Sequence, residues 1–344
     1  MVLAQGLAAA AVLTRLAQGR ERRPPLTAAP TPPRMSVIVP ARDEEHRIGR
    51  CLAGLAGEGA EVVVVDDRST DRTAQVARDH GARVVEGERL PDGWVGKSWA
   101  LQQGLEAVSG DVVVCLDADT RPRPGLLGAL AAIVDDDEVL LSAGGRFVRQ
   151  GALERHLHAA MLASLVYRFG PQDGAPPRRL LVNGQCLAFR REPLLAAGGF
   201  GLVRGHLTDD AALGRALRAR GWSVRFADAS DLLDVEMYDS FGGTWSGWGR
   251  SIALADVTPP AQRAADVATL WLTCGLPVLR ALRGRPTRLD VALLVLRTAL
   301  GGALGRSYDG PVLLAPLMDP LVCARVTWSA ARPSRTWRGR TYAA

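Results

Sequence analysis

Short runs of β-branched and other apolar residues alternate with longer amphipathic stretches after residue 34. Such runs, bounded by turn-forming residues, are typical of buried strands in a parallel sheet. Strands are predicted at 36–39, 61–66, 82–86 and 111–117, with helices near 46–56, 71–80 and 98–108 between them. This alternation predicts an α/β fold with a doubly wound, mainly parallel sheet and helices on both faces.

The alternation is less regular beyond residue 121. Helices are predicted near 122–134, 151–169 and 208–221, and strands near 139–147, 183–190 and 222–227. The glycine pattern G-x-G-x-x-G does not follow the first strand, which argues against a dinucleotide-binding enzyme.

Apolar segments flank the α/β region on both sides. Residues 1–18 are rich in alanine and leucine but short for a membrane span, which needs roughly 20 apolar residues. They lack the basic start of a signal peptide, so a short membrane anchor followed by a Pro- and Arg-rich linker is favoured. We therefore divide the chain into 1–34 (anchor and linker), 35–238 (α/β domain), 239–258 (aromatic segment) and 259–344 (apolar C-terminal region and basic tail).

Three apolar stretches occupy the C-terminal region, around 264–282, 289–304 and 311–328. They are interrupted by Asp266, Pro277, Arg297 and Asp319. Charged side chains are costly at the centre of a bilayer, so core helices of an all-α appendage are an open alternative. Membrane-embedded or in-plane helices are favoured, because the preceding segment carries Trp245 and Trp248 among glycines, as interfacial segments do.

Charge and cysteine content exclude some classes of protein. The chain carries 42 Lys+Arg and 36 Asp+Glu residues, yet residues 35–258 are net acidic and the basic excess lies in the two ends. A nucleic-acid-binding domain would carry a basic stripe on its folded part, so no nucleic-acid partner is expected. Basic apolar ends suit an anionic membrane surface. The five scattered cysteines are typical of core residues in a reducing compartment.

Two acidic clusters follow predicted strands. Asp66-Asp67 ends the strand 61–66, and Asp117-Ala118-Asp119 follows the strand 111–117. Open α/β sheets bind ligands at the carboxyl ends of their strands. Two carboxylates on one side of a tight turn suit a divalent cation shared with a diphosphate. The alternative is that these aspartates only form turns and cap helices.

Lys97 is the one lysine among 42 basic residues. It follows Gly96 in a glycine-led turn into a predicted helix, where an ammonium group is well placed to meet phosphate oxygens. The alternative is an ordinary solvated surface lysine.

Six short motifs, taken in order, resemble those of family-2 glycosyltransferases with the GT-A fold, over about residues 35–258. They are Pro40-Ala41-Arg42-Asp43-Glu44, Asp66-Asp67-Arg68-Ser69-Thr70-Asp71, Gly96-Lys97-Ser98, Asp117-Ala118-Asp119, Gly198-Gly199-Phe200 and Thr208-Asp209-Asp210. Three more resemble a membrane-associated subgroup linked to carotenoid and hopanoid pathways: 93–97, 247–251 and the ending 334–342.

The sequence departs from the family pattern at two places. The Q-x-x-R-W motif of processive polysaccharide synthases is absent, since 245–250 has neither the glutamine nor a tryptophan after Arg250. This favours transfer of a single sugar. The usual Glu-Asp pair is Asp209-Asp210, which leaves open which carboxylate is the base.

The resemblance implies transfer of a sugar from a nucleotide-diphosphate sugar with inversion at the anomeric carbon. Asp117 and Asp119 would then hold Mg²⁺ or Mn²⁺, and Lys97 would contact the same phosphates. The implied base is Asp210, with Asp209 beside it. The implied pocket for the base and ribose of the donor is lined by Pro40, Ala41, Glu44, Asp66 and Asp67. Trp245, Trp248 and Arg250 are expected to close the site on the acceptor side. For Asp209 and Asp210 the alternative is a helix start capped by Thr208, and both interpretations are compatible.

A lipid acceptor of carotenoid or hopanoid type follows from the same resemblance, and the apolar ends place the enzyme at the cell membrane with a cytoplasmic catalytic domain. A polysaccharide or polyprenyl-phosphate acceptor is an alternative. Two other classes stay open. A sugar nucleotidyltransferase would carry a G-x-G-x-R-type loop after the first strand, where this chain has Pro40-Ala41-Arg42-Asp43. A non-catalytic membrane partner would tolerate loss of the carboxylates, and all of them are present here.

Overall fold

The protein is described here from a computed structural model, in which residues 2–17, 24–148, 151–170, 175–238, 240–334, 336–337 and 340–342 are defined. Residues 18–23 of the predicted anchor and linker lie outside these ranges. So do Asp239 of the aromatic segment and Arg335, Arg338 and Gly339 of the C-terminal motif.

In the described ranges, seven strands form one mixed sheet around which the site is built. With the strands of two smaller sheets, the described residues contain β1 Met35–Ala41, β2 Glu61–Asp66, β3 Arg83–Glu86, β4 Val112–Leu116, β5 Thr120–Pro122, β6 Val139–Gly144, β7 Arg146–Phe147, β8 Cys186–Arg190, β9 Ser223–Asp228, β10 Leu233–Val235, β11 Thr336–Trp337 and β12 Arg340–Thr341. The order in the large sheet is β3-β2-β1-β4-β8-β6-β9. Only β8 is antiparallel to its neighbours β4 and β6. The mainly parallel sheet predicted from the sequence is confirmed.

The helices lie on both faces of this sheet and in a C-terminal bundle. They are α1 Val2–Ala17, α2 Ile48–Ala53, α3 Thr73–Asp79, α4 Gly96–Ala107, α5 Leu126–Ala131, α6 Ala152–Phe169, α7 Arg191–Ala196, α8 Asp209–Ala219, α9 Phe241–Ser251, α10 Pro260–Leu270, α11 Leu276–Leu282, α12 Arg288–Leu304 and α13 Asp319–Ala331. Strand side chains alternate between the two faces. On β1, Val37 and Val39 join the apolar layer that includes α2, whereas Ile38 joins the layer that includes α4.

Two predicted elements differ from the observed ones because some of their residues belong to a small three-stranded sheet. The predicted strand 139–147 is divided into β6 and β7, because β7 leaves the large sheet and pairs with β10 in a three-stranded sheet. The predicted helix 122–134 is shorter, since residues 120–122 form β5 of that same small sheet and α5 begins only after it.

The charges that interrupt the apolar C-terminal stretches lie inside the helical bundle. Arg297 on α12 and Asp319 on α13 form a bidentate pair with two contacts of 2.9 Å, and both residues are buried. Asp266 on α10 lies 3.0 Å from Arg179 and 3.8 Å from Arg15 of α1. These pairs connect helices of the bundle with one another and with the α/β domain. The three charges are therefore paired inside the protein and do not face solvent or lipid.

The helices α10 and α11 continue one another through a π-helical turn at Trp271–Gly275. Pro277 follows this turn and has no N–H to donate to the carbonyl of Thr273, four residues before it and inside the turn. Together they form Pro260–Leu282, a helix of 23 residues that is, within the described ranges, the one candidate for a membrane span by length and composition. Core helices of soluble proteins meet the same criterion.

Candidate active site

The Asp117-Ala118-Asp119 segment forms a tight turn at the carboxyl end of β4. The amide of Thr120 donates to the carbonyl of Asp117 at 3.1 Å, and the Thr120 hydroxyl donates to the same oxygen at 2.7 Å. The amide of Asp117 donates to the Gln185 carbonyl next to β8. The turn is thereby fixed at the sheet edge where the carboxyl ends of β1, β2 and β4 meet.

The two carboxylates of this turn have the chemistry of a divalent-cation site. Oδ1 of Asp119 is buried without a hydrogen-bond partner. Burial is the largest cause that raises the pKa of Asp119, to about 7, and the negative charges of Asp117 and Glu44 add to it. No group of three or more His, Cys, Asp or Glu side chains converges on a metal position within the residues that the structure describes. Mg²⁺ and Mn²⁺ sites that use one or two carboxylates together with substrate phosphates fit this donor set.

Lys97 lies in the first turn of α4, opposite the acidic turn. Its Nζ is 2.6 Å from Oδ1 of Asp117. Burial by itself would lower the pKa of Lys97, but the carboxylates of Asp117, Asp209 and Asp210 raise it above its ordinary value. The lysine is therefore a fixed positive charge within the acidic cluster, and the surface-lysine alternative is wrong.

Asp209 and Asp210 open helix α8. Oδ2 of Asp210 accepts a hydrogen bond from the amide of Gly184 at 3.0 Å, and Oδ1 accepts one from Ala211 at 2.7 Å. A Cβ at Gly184 would lie 2.9 Å from Cβ of Asp210, so glycine permits this approach. Burial raises the pKa of Asp210, although Lys97 opposes the shift, and it raises the pKa of Asp209 to about 7.

Thr208 does not cap helix α8 through its side chain, contrary to the capping alternative. Its hydroxyl donates to Oδ1 of Asp256 at 2.6 Å, and its amide donates to Oδ2 at 3.0 Å. Burial raises the pKa of Asp256, but His206, whose Nδ1 lies 3.6 Å from Oδ2, and the hydrogen bonds from Thr208 lower it to about 2. The sequence analysis missed Asp256, because no local pattern connects it with residues so far back along the chain.

The predicted donor-pocket residues divide into two groups. Pro40, Ala41, Glu44 and Asp67 line the same cavity as Lys97 and the acidic turn, whereas Asp66 is buried and does not. Burial raises the pKa of Asp67, although a bidentate contact with Arg340 opposes the shift. Arg340 lies 273 residues further along the chain, so sequence patterns could not reveal this pair.

One cavity of about 1040 Å³ joins these polar residues to an apolar wall. The apolar lining comes mainly from α6, α9 and α12 and the segments next to them: Leu162, Leu165, Val166, Met237, Trp248, Ile252, Leu254, Ala303 and Leu304. Of the three predicted acceptor-side residues, Trp248 and Arg250 line the cavity and Trp245 does not. Trp245 instead packs under the guanidinium of Arg325, 5.3 Å from its ring centre.

A mixed sheet with an acidic turn at the end of β4 is the arrangement of GT-A glycosyltransferases, and the comparisons agree. A mannosyltransferase from Pyrobaculum calidifontis, solved in complex with GDP-Man and Mn²⁺, superposes with a TM-score of 0.57 at 19% identity, over 96% of this chain and 97% of that one. The family model described as glycosyl transferase family 2 matches residues 36–196. The matched stretch is slightly less than half of the chain and resembles glycosyl transferase family 2.

Curated relatives include the 4,4'-diaponeurosporenoate glycosyltransferases of two staphylococci. The protein of Staphylococcus aureus (strain MRSA252) is 29% identical over 252 residues, which cover 69% of this chain and 65% of the relative. That of Staphylococcus haemolyticus (strain JCSC1435) is 27% identical over 240 residues, which cover 66% and 63%. The matched region thus spans slightly less than two thirds of these relatives.

Proposed function

We propose that this protein transfers one sugar from a nucleotide-diphosphate sugar to a hydrophobic acceptor at the membrane surface, with inversion at the anomeric carbon. The observation that carries the proposal is the single cavity in which Lys97, the acidic turn and Asp210 share walls with the apolar residues of α6, α9 and α12. A polar donor and an apolar acceptor would meet in such a cavity.

Asp117 and Asp119 would hold the divalent cation that accompanies the donor. When bound, Mg²⁺ or Mn²⁺ neutralises the charge that develops on the departing diphosphate. Lys97 would add a positive charge on the same phosphates, at the start of a helix where anions are favoured. On the nucleotide side, the base and ribose would be bound by Pro40, Ala41, Glu44 and Asp67.

Asp210 would be the general base. The amide of Gly184 fixes its carboxylate, and burial favours the protonated form that the group must reach after accepting a proton. The acceptor oxygen would attack the anomeric carbon from the face opposite the diphosphate while Asp210 takes its proton. Asp209 would stay beside the base, on the same helix turn.

The acceptor would lie along the apolar part of the cavity, with Trp248 beside it. The staphylococcal relatives are named as glycosyltransferases of 4,4'-diaponeurosporenoate. A long apolar molecule of carotenoid type matches the lining of this cavity, and Arg250 on the same helix would face its polar end.

The outer surface of the helical bundle supports a membrane location. Two helices and the connection between α12 and α13 expose large apolar side chains: Leu3 on α1 is 78% exposed, Val295 on α12 is 65% exposed, and Leu313 in the connection is 61% exposed. Between Leu289 and Leu304 the exposed positions of α12 carry no charged side chain, since its internal charges are buried. Exposed arginines stand before and after this face, namely Arg283, Arg285, Arg288 and Arg306. Such a surface suits lipid bordered by anionic headgroups, and the catalytic domain would face the cytoplasm.

Membranes from an expressing strain, incubated with labelled UDP- and GDP-sugars and lipid extract, test this proposal. We expect metal-dependent transfer of label to a lipid product, and full-length protein in the membrane fraction. A Leu313→Glu, Leu317→Glu variant should move toward the soluble fraction. A matched variant at exposed positions of the α/β domain, Ala56→Glu and Gln75→Glu, should not. Protein found wholly in the soluble fraction that glycosylates a water-soluble acceptor as fast as lipid extract would contradict it.

A further inference from the structure

The C-terminal strap, defined here as Thr336–Trp337 together with Arg340–Tyr342, reaches the donor side of the cavity. Nη1 of Arg340 is 2.6 Å from Oδ2 of Asp67, and its Nη2 is 3.1 Å from Oδ1, so the guanidinium binds both carboxylate oxygens. The amide of Gly96 donates to the hydroxyl of Tyr342 at 3.2 Å. Arg340 and Tyr342 of the strap thus contact two different parts of the donor pocket.

These contacts lie directly beside the residues assigned to the donor. Gly96 precedes Lys97, and a Cβ at Gly96 would come within 2.6 Å of Nη1 of Arg340 and 2.9 Å of Oδ2 of Asp67. Gly96, Asp67 and Thr336 all line the cavity. The strap is therefore part of the wall of the donor pocket, although Tyr342 lies 246 residues beyond Gly96 along the chain.

The charges that line this wall affect how strongly a nucleotide diphosphate can bind. The donor side of the cavity is lined by four carboxylates, those of Glu44, Asp67, Asp117 and Asp119. An anionic donor would be repelled by unpaired carboxylates, and each nearby cation reduces that repulsion. Arg340 neutralises Asp67 while leaving it lone pairs, because a carboxylate has about four acceptor positions and the guanidinium occupies two.

Taking the proposed glycosyl transfer as its basis, we propose that the strap belongs to the donor-binding site, with Arg340 as a positioning residue that holds Asp67 oriented for the nucleotide and offsets its charge. Tyr342 fixes the strap on the first turn of α4. The helical bundle that precedes the strap is thereby connected to the donor pocket. If the strap instead competed with the donor for Asp67, removal of Arg340 would strengthen nucleotide binding.

Isothermal titration of the full-length protein in detergent micelles distinguishes the two, with UDP and GDP as probes, each with Mn²⁺. Arg340→Ala should weaken binding of the preferred nucleotide about tenfold, equivalent to about 1.4 kcal/mol. Arg340→Lys should recover part of the loss, because it restores the charge without the bidentate geometry, and Tyr342→Phe should show a smaller loss. Arg332→Ala is the matched control, because Arg332 is exposed and stacks on Trp328. Its replacement removes the same charge from the chain.

In transfer assays, Arg340→Ala should raise KM for the donor and leave kcat at saturating donor nearly unchanged, which a merely structural defect would not do. Unchanged or tighter nucleotide binding by Arg340→Ala would overturn the strap's role, with Arg340→Lys and Tyr342→Phe deciding if the alanine variant does not fold. Wild-type protein that binds neither nucleotide would overturn the proposed function itself, which separates the two failures.

Discussion

Nζ of Lys97 lies 2.6 Å from Oδ1 of Asp117, so the one lysine of this chain is paired with the first carboxylate of the acidic turn. This pairing occupies Asp117 on one side, while Oδ1 of Asp119 stays buried and without a hydrogen-bond partner. The arrangement separates a fixed cation from a carboxylate that is available to a metal ion, and the predictions that follow test these roles.

Replacing Lys97 with alanine should weaken donor binding and transfer together, by about 10²-fold in kcat/KM, because the positive charge proposed to contact the phosphates is lost. Lys97→Arg should recover only part of the activity, since a planar guanidinium on a different stem cannot take the position of a compact ammonium. Steady-state kinetics with the labelled donor measure both effects. Wild-type kinetics in Lys97→Ala would show that the lone lysine has no role in donor binding.

Donor turnover should require a divalent cation and an intact Asp119. Asp119→Asn keeps the shape of the side chain but removes its charge, so we expect activity to fall to background and to be recovered only weakly by excess Mn²⁺. The assay compares EDTA-treated enzyme with and without added Mg²⁺ or Mn²⁺. Near wild-type rates in EDTA, or in the variant, would make the metal assignment wrong.

Asp210→Asn should leave nucleotide binding intact and reduce kcat by about 10²–10⁴-fold, because a general base acts in the chemical step. Asp209→Asn is the matched control on the same helix turn, and it should retain more activity. Loss of donor affinity with kcat preserved would instead identify Asp210 as a binding residue.

The pH dependence of transfer should follow the raised pKa of Asp210. The base must be ionised to accept a proton, and burial raises its pKa above the ordinary value of 3.8. The rate should therefore rise with pH, along an acid limb that lies above that value. A profile of kcat against pH at saturating donor and Mn²⁺ measures the limb, and Asp210→Asn should lack it. The same limb in the variant would assign the titration to another group.

Breaking the buried pair between α12 and α13 should destabilise the helical bundle. Arg297→Met leaves Asp319 buried without its partner, with an expected loss of about 3–5 kcal/mol in the free energy of unfolding. The double variant Arg297→Met, Asp319→Leu should recover most of this loss, because two apolar side chains replace the ion pair. Thermal unfolding in detergent compares the variants. A stable Arg297→Met would show that Asp319 finds another partner or water.

The sequence alone determined the features that depend on neighbours along the chain. Apolar runs and the turn residues after them specify β1, β2 and β4, and the order of strands and helices brings their carboxyl ends to one edge of the sheet. The acidic turn could therefore be placed at this edge from the strand pattern, whereas the resemblance to family-2 glycosyltransferases added Lys97 and the start of α8 to the same site.

Tertiary structure decided the contacts between residues that are distant along the chain. Arg340 on Asp67, Asp256 on Thr208 and Asp319 on Arg297 have no local signature, because a single charged residue can be satisfied by many partners or by water. Burial and geometry select the partner only once the helices have packed. For the same reason the sequence could not show which tryptophan of the aromatic segment lines the cavity. Trp248 does so, whereas Trp245 packs against Arg325.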